Sequence, residues 1–173
     1  MRTLSLDSYE DWLKRNDIII STTHKLCYLE QSSWKFRIPL PEIGLEIIAL
    51  THVLINVIEE DKSGLFLWLK DFDIWSPDTE KIGISMYQSM LPPQTNIYEH
   101  PILSIESVEV TEQKALSIIT MLFQWDLYLV PENAKYIIFF SHDGYIQIES
   151  RTLSEHHRML TSLHHWHPDW GPQ

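Results

Sequence analysis

A chain of 173 residues with 44% hydrophobic and 21% charged residues has the composition of one globular domain, long enough to bury a core, and is not that of a disordered segment. Its 24 acidic residues against 13 basic ones leave a formal charge of −11, a field that repels a nucleic-acid backbone or an anionic membrane surface and attracts a basic protein. The single cysteine, Cys27, excludes an intrachain disulfide and a multi-cysteine zinc site, and it fits a reducing compartment, with the cytoplasm as the expected location.

Met1-Arg-Thr-Leu-Ser-Leu-Asp-Ser does not read as a signal peptide. Asp7–Arg15 reads as a short helix with Leu6, Tyr9, Trp12 and Leu13 on one side. Leu26–Glu30 and Trp34–Ile38 read as strands separated by Gln31-Ser-Ser. In the second, Trp34, Phe36 and Ile38 alternate with Lys35 and Arg37. Pro39 and Pro41 close that strand, and Pro41 is suited to open a helix. Ile43–Ile58 carries apolar residues at 43, 47, 50, 54 and 57/58, a helical period, although its β-branched residues leave a strand open. Glu46, Thr51, His52 and Asn56 within it exclude a membrane span.

Glu59-Glu-Asp-Lys-Ser-Gly64 reads as a turn, and Leu65–Leu69, apolar on both faces, as a strand inside a sheet. Ser76-Pro77-Asp78 has the cap, proline and acid of a helix start, with Ile82, Met86 and Met90 as its inward stripe and Pro92-Pro93 as its end. Ile102–Val110 reads as a loosely alternating strand. Thr111-Glu112 then opens a helix that buries Ala115, Ile118/Ile119, Leu122 and Phe123.

Leu127–Val130 is a short strand stopped by Pro131. The hairpin Tyr136–Glu149 follows, built around Asp143-Gly144, a dipeptide suited to a type I′ turn. With a two-residue loop, His142 pairs across the strands with Tyr145, and Ser141 with Ile146. Ser154–Trp166 closes the chain as a helix with Leu153, His156, Leu160 and Leu163 on one stripe and Pro168 beyond it. No repeat or linker divides residues 1–173. The expectation is one domain of the α+β (mixed α/β) class: a single mixed β-sheet flanked by helices, with a C-terminal hairpin followed by a helix.

Four groups of residues invite chemistry. Ser141-His142-Asp143 has the letters of a catalytic triad, but neighbouring strand side chains point to opposite faces and cannot converge. A recognition tip, or His142 acting as a lone acid/base, is what this hairpin offers. Asp71 and Asp73 follow the buried strand Leu65–Leu69, where period two sets both carboxylates on one face, a geometry suited to Mg²⁺ or Mn²⁺. In the tail, only His164 and His167 have the spacing of a helical metal pair, and Pro168 biases His167 out of the helix. Because histidine titrates between about pH 5 and 8, this tail is also suited to a pH-sensitive contact. Among seven tryptophans, Trp75, Trp166 and Trp170 fall outside the periodic runs and are the better interface residues. There is no G-x-G-x-x-G, Walker loop, G-x-S-x-G or H-E-x-x-H, and no cofactor is expected.

Leu65-Phe-Leu-Trp68, Asp73-Ile-Trp75-Ser-Pro77, Phe123-Gln-Trp125-Asp126 and Phe140-Ser-His142-Asp143-Gly-Tyr145 resemble an uncharacterised bacterial protein family over roughly residues 65–150. The resemblance implies the order of the segments and brings no activity with it. The function expected from the residues is a non-enzymatic, soluble protein-binding domain, like an immunity or accessory protein, acting on a basic partner. Its contact residues would be Trp75, His142, Asp143, Tyr145, Trp166 and Trp170. The alternative is a metal-assisted hydrolase or phosphotransferase using Asp71, Asp73 and His142, with Glu106 as a possible addition.

Overall fold

The computed structural model describes residues 1–21, 27–29, 34–71, 77–93, 95–99 and 101–166, with the side chains of 77–80 left out. The elements in chain order are β1 (Arg2–Leu4), α1 (Leu6–Arg15), β2 (Ile18–Ile20), β3 (Cys27–Leu29), β4 (Trp34–Pro39), α2 (Gly44–Glu59), β5 (Leu65–Asp71) and α3 (Pro77–Ser89). They continue with β6 (Ile102–Ile105), α4 (Val110–Leu122), β7 (Asp126–Pro131), β8 (Tyr136–Ser141), β9 (Tyr145–Ser150) and α5 (Leu153–Leu163), which runs into a 3₁₀ turn, His164–Trp166. Seven strands form one sheet in the order β1-β6-β5-β7-β8-β9-β4, and β2 with β3 forms a separate ribbon. The class is α+β, with a C-terminal hairpin and a helix after it.

Every pairing in the main sheet is antiparallel. The crossover through α4 carries the chain from one side of β5 to the other, so β6 and β7 flank β5 and run in the same direction without touching. The sheet is buried on both faces. Leu65, Leu67, Leu127, Leu129, Ile138 and Phe140 pack under α2, α4 and α5. Phe66, Trp68, Tyr128, Val130, Ile137 and Phe139 point the other way, against Tyr9 and Leu13 of α1 and Cys27 and Leu29 of the ribbon. This explains the strands that are apolar at every position. A half-covered face would have produced alternation, as it does in β4 and β9.

The helical period of Ile43–Ile58 is realised as α2, which begins at Gly44 rather than at Pro41. β4 pairs with β9 and β3 with β2, so the two strands flanking Gln31 do not pair with each other; Gln31 itself lies outside the described residues. β1 and β2, three residues each, are too short to show a period. The strand expected over Ile102–Val110 stops at Ile105, leaving Val108 exposed and Val110 as the first residue of α4.

α3 is rotated from its expected stripe: Ile82 and Met86 are exposed, while Tyr87 and Leu91 are buried. The cause is Gly83. A Cβ there would lie 2.8 Å from Trp125 Cζ2 and 2.9 Å from the Phe123 ring, so this helix approaches through its glycine, with Tyr87 edge-on to Trp125 at 5.9 Å. In α4, Leu122 is exposed and Thr120 is buried; Thr120 Oγ1 donates to Leu116 O at 2.8 Å, which satisfies the hydroxyl within the helix.

Candidate functional site

The hairpin tip departs from the two-residue loop by one position. Ser141 pairs with Tyr145, so His142, Asp143 and Gly144 form a three-residue loop. Only Gly144 has positive φ, at 82°, and its N–H donates to Ser141 O at 3.0 Å. That is the three-residue solution, in which one glycine takes the left-handed position and Asp143 need not. The Ser141 hydroxyl supports it by accepting the Asp143 N–H at 3.2 Å. His142 is thereby released from the strand.

What holds His142 is Asp126, the first residue of β7. One carboxylate oxygen, Oδ1, accepts both the His142 backbone N–H and the His142 ring Nδ1, each at 2.8 Å. Asp126 is almost wholly buried, at 4% side-chain exposure, whereas His142 is 37% exposed. Since a carboxylate only accepts, the pairing puts the imidazole proton on Nδ1 and leaves Nε2 beside the Asp143 carboxylate, 3.5 Å away.

The second Asp126 oxygen faces Lys70 Nζ at 3.6 Å, and the same ammonium lies 3.6 Å from Asp71 Oδ2. Backbone geometry explains this convergence. Between Leu69 and Asp71 the β5–β7 register shifts by one residue, so Lys70 is the extra residue of a bulge and Asp71 sits directly opposite Asp126. Two carboxylates facing across a strand pair repel each other. Lys70, only 13% exposed, is placed to relieve that repulsion and packs over Phe139 at 5.7 Å. Lys70 also lines a cleft of about 270 Å³ with Glu10, Trp68 and Tyr98.

Of the residues expected to act, Asp71, His142 and Asp143 therefore gather at one end of the sheet, joined through Lys70 and Asp126. Asp73, Trp75, His167 and Trp170 lie outside the described residues. Tyr145 flanks the tip, half-buried, with the Arg37 guanidinium 4.5 Å from its ring. Trp166 packs against the helix-side core with His165 edge-on at 5.4 Å, and His164 Nδ1 is engaged with Thr161 O at 2.8 Å. Glu106 follows Ile105, which pairs with Leu65 at the opposite end of β5 from Asp71, about 20 Å away at strand rise. It cannot join the set. Among the described residues, no three His, Cys, Asp or Glu side chains converge to hold a metal ion.

Sequence reasoning missed Asp126 and Lys70. A signal was present, because Asp126 opens a strand whose other positions are apolar and shares a face with Tyr128 and Val130. An acid in that place is either the strand's solvated end or a buried anchor, and only the pairing of β7 with β8 distinguishes the two. Among the described residues no helix is long and apolar enough to cross a membrane. No family model, no curated protein and no solved structure matches the chain, and the geometry of this site carries the functional reading.

Proposed function

We propose that the chain is a non-enzymatic protein-binding domain, of the immunity or accessory kind, that engages a basic segment of its partner with the β8–β9 tip. The observation that carries this reading is the grip of buried Asp126 on both the backbone and the ring of His142. It presents His142 in one orientation beside the exposed Asp143 carboxylate, while exposed Asp71 is joined to the same anchor through Lys70. Groups ordered before binding lose little entropy on contact, and carboxylates at a rim steer a cationic partner. The charge of −11 adds a long-range field of the same sign. Lone, buried Cys27, its thiol pushed well up by burial, fits action in the reducing cytoplasm. Kinship with the bacterial family suggested by residues 65–150 belongs to the same proposal. A photo-reactive residue replacing Asp143 tests the reading: it is expected to cross-link a basic protein in the host cell.

The same dyad favours a second reading, a hydrolase or phosphotransferase in which His142 Nε2 is the base and Asp126 its orienting carboxylate. A metal-assisted version would need Asp73 as well. Under this reading, His142→Ala lowers turnover of a generic ester or phosphoester by about 10²–10⁴-fold without unfolding the protein. Parent and variant showing the same background rate would discard it.

A further inference from the structure

On the sheet face opposite α2, β4 and β9 bring together a second set of polar residues, which adjoins the tip through Tyr145 and Phe139. Period two sets Lys35 and Arg37 on this face, and the antiparallel register puts Lys35 opposite Glu149 and Arg37 opposite Gln147. The four line a concavity of about 180 Å³ whose other wall includes the rings of Phe139 and Tyr145. Clefts for drug-sized ligands run to about 300–1,000 Å³, so this one suits a single functional group and not a cofactor.

Its polar groups form an ordered relay. Glu149, 2% exposed, accepts Lys35 Nζ at 2.9 Å and the Leu29 N–H at 3.1 Å. Gln147 Nε2 donates to Glu149 Oε1 at 3.0 Å, which turns the Gln147 carbonyl oxygen toward Arg37 Nε, 2.8 Å away. The guanidinium lies over the Tyr145 ring at 4.5 Å. Stacking on one side and a fixed Nε bond leave the two terminal nitrogens of Arg37 with no acceptor among the described residues. A guanidinium held in this way is a pre-formed fork for a planar two-oxygen anion. Two cations against one buried carboxylate leave one unit of positive charge, which a monoanion neutralises and a dianion exceeds.

We propose that this concavity is a carboxylate-binding subsite, with Arg37 as the bidentate donor, that receives the terminal or side-chain carboxylate of a peptide. It gives an acidic protein a contact of opposite sign from its hairpin tip, and its failure would leave the tip reading standing, since neither Arg37 nor Gln147 belongs to the tip. The test is an NMR titration of the Arg37 Nε–H and Gln147 side-chain amide signals with N-acetyl-phenylalanine, N-acetyl-aspartate amide, N-acetyl-phenylalanine amide and inorganic phosphate at constant ionic strength.

Saturable shifts with a carboxylate probe are expected, at least about tenfold tighter than any effect of the neutral amide, the worth of one charge-assisted pair. Preference for N-acetyl-phenylalanine assigns a chain terminus and preference for the aspartate probe a side chain; either supports the subsite. Arg37→Lys, which keeps the charge and loses the fork, and Gln147→Leu, which frees the guanidinium, are each expected to weaken binding about tenfold, and His142→Ala to leave it unchanged. No saturable shift, equal response to the neutral amide, tighter binding of phosphate, undiminished binding in both groove variants, or loss in His142→Ala would each overturn the assignment.

Discussion

At the scale of single residues, Asp126 organises the tip. A buried carboxylate is costly unless its oxygens are satisfied, and here two N–H donors and the Lys70 ammonium supply that. Removing it leaves the His142 N–H and ring Nδ1 without their acceptor and takes from a mostly buried ammonium one of its two carboxylates. Asp126→Ala is therefore expected to lower stability by about 3 kcal/mol, read as a fall in the urea midpoint at unchanged slope, with Asn at this position recovering part of the loss. A loss below about 1 kcal/mol would mean that the tip is held by its turn alone. This is also where the sequence was hardest to read. His142 and Asp143 are legible because the first precedes and the second opens a recognisable Asp-Gly turn, and Asp71 because it follows an unmistakable buried strand. Asp126 and Lys70 are not, because their roles depend on a bulge and on which strands are neighbours. Neither leaves a local pattern.

At the scale of elements, hydrophobic period located most segments, and tertiary contact decided their phase and ends. α2, β5, β8 and β9 follow from their apolar spacing. α3 does not, because its rotation is set by the close approach of Gly83 to Trp125 and Phe123, and an apolar stripe gives no weight to a glycine. The hairpin was legible as a hairpin but not in register, since Asp-Gly serves both two- and three-residue loops. The end of α2 and the surface of α5 are tied by Asp61, which accepts Arg158 Nη2 at 2.8 Å, Arg158 Nη1 at 3.2 Å and Lys135 Nζ at 2.9 Å.

Burial alone would raise the Asp61 pKa, but the Arg158 and Lys135 hydrogen bonds outweigh it and hold the carboxyl below its usual range. A carboxyl depressed in the folded state contributes stability that is present above its unfolded value, near pH 4. That stability is lost as pH falls through the lower folded value. The urea midpoint of the parent is thus expected to fall more steeply below about pH 4 than that of Asp61→Asn. Parallel profiles would show that the pair contributes nothing to acid stability.

At the scale of the whole molecule, a seven-stranded sheet is covered by helices on one face and by α1 and a small ribbon on the other. This double cover buries the central strands on both faces, and the tip gathers His142 and acids from β5, β7 and the β8–β9 loop at their end. The −11 charge then acts with the tip and not against it, because a basic partner is drawn by the field and met by Asp71 and Asp143.

The most direct measurement compares a photo-reactive residue at position 143 with one at Val108, which is exposed beyond the opposite end of β5. In host cells, the expected result is one dominant cross-linked species from position 143, containing a basic protein and diminished by high salt before irradiation, and none from position 108. No adduct at 143, or the same adducts from both positions, would contradict a partner-binding tip.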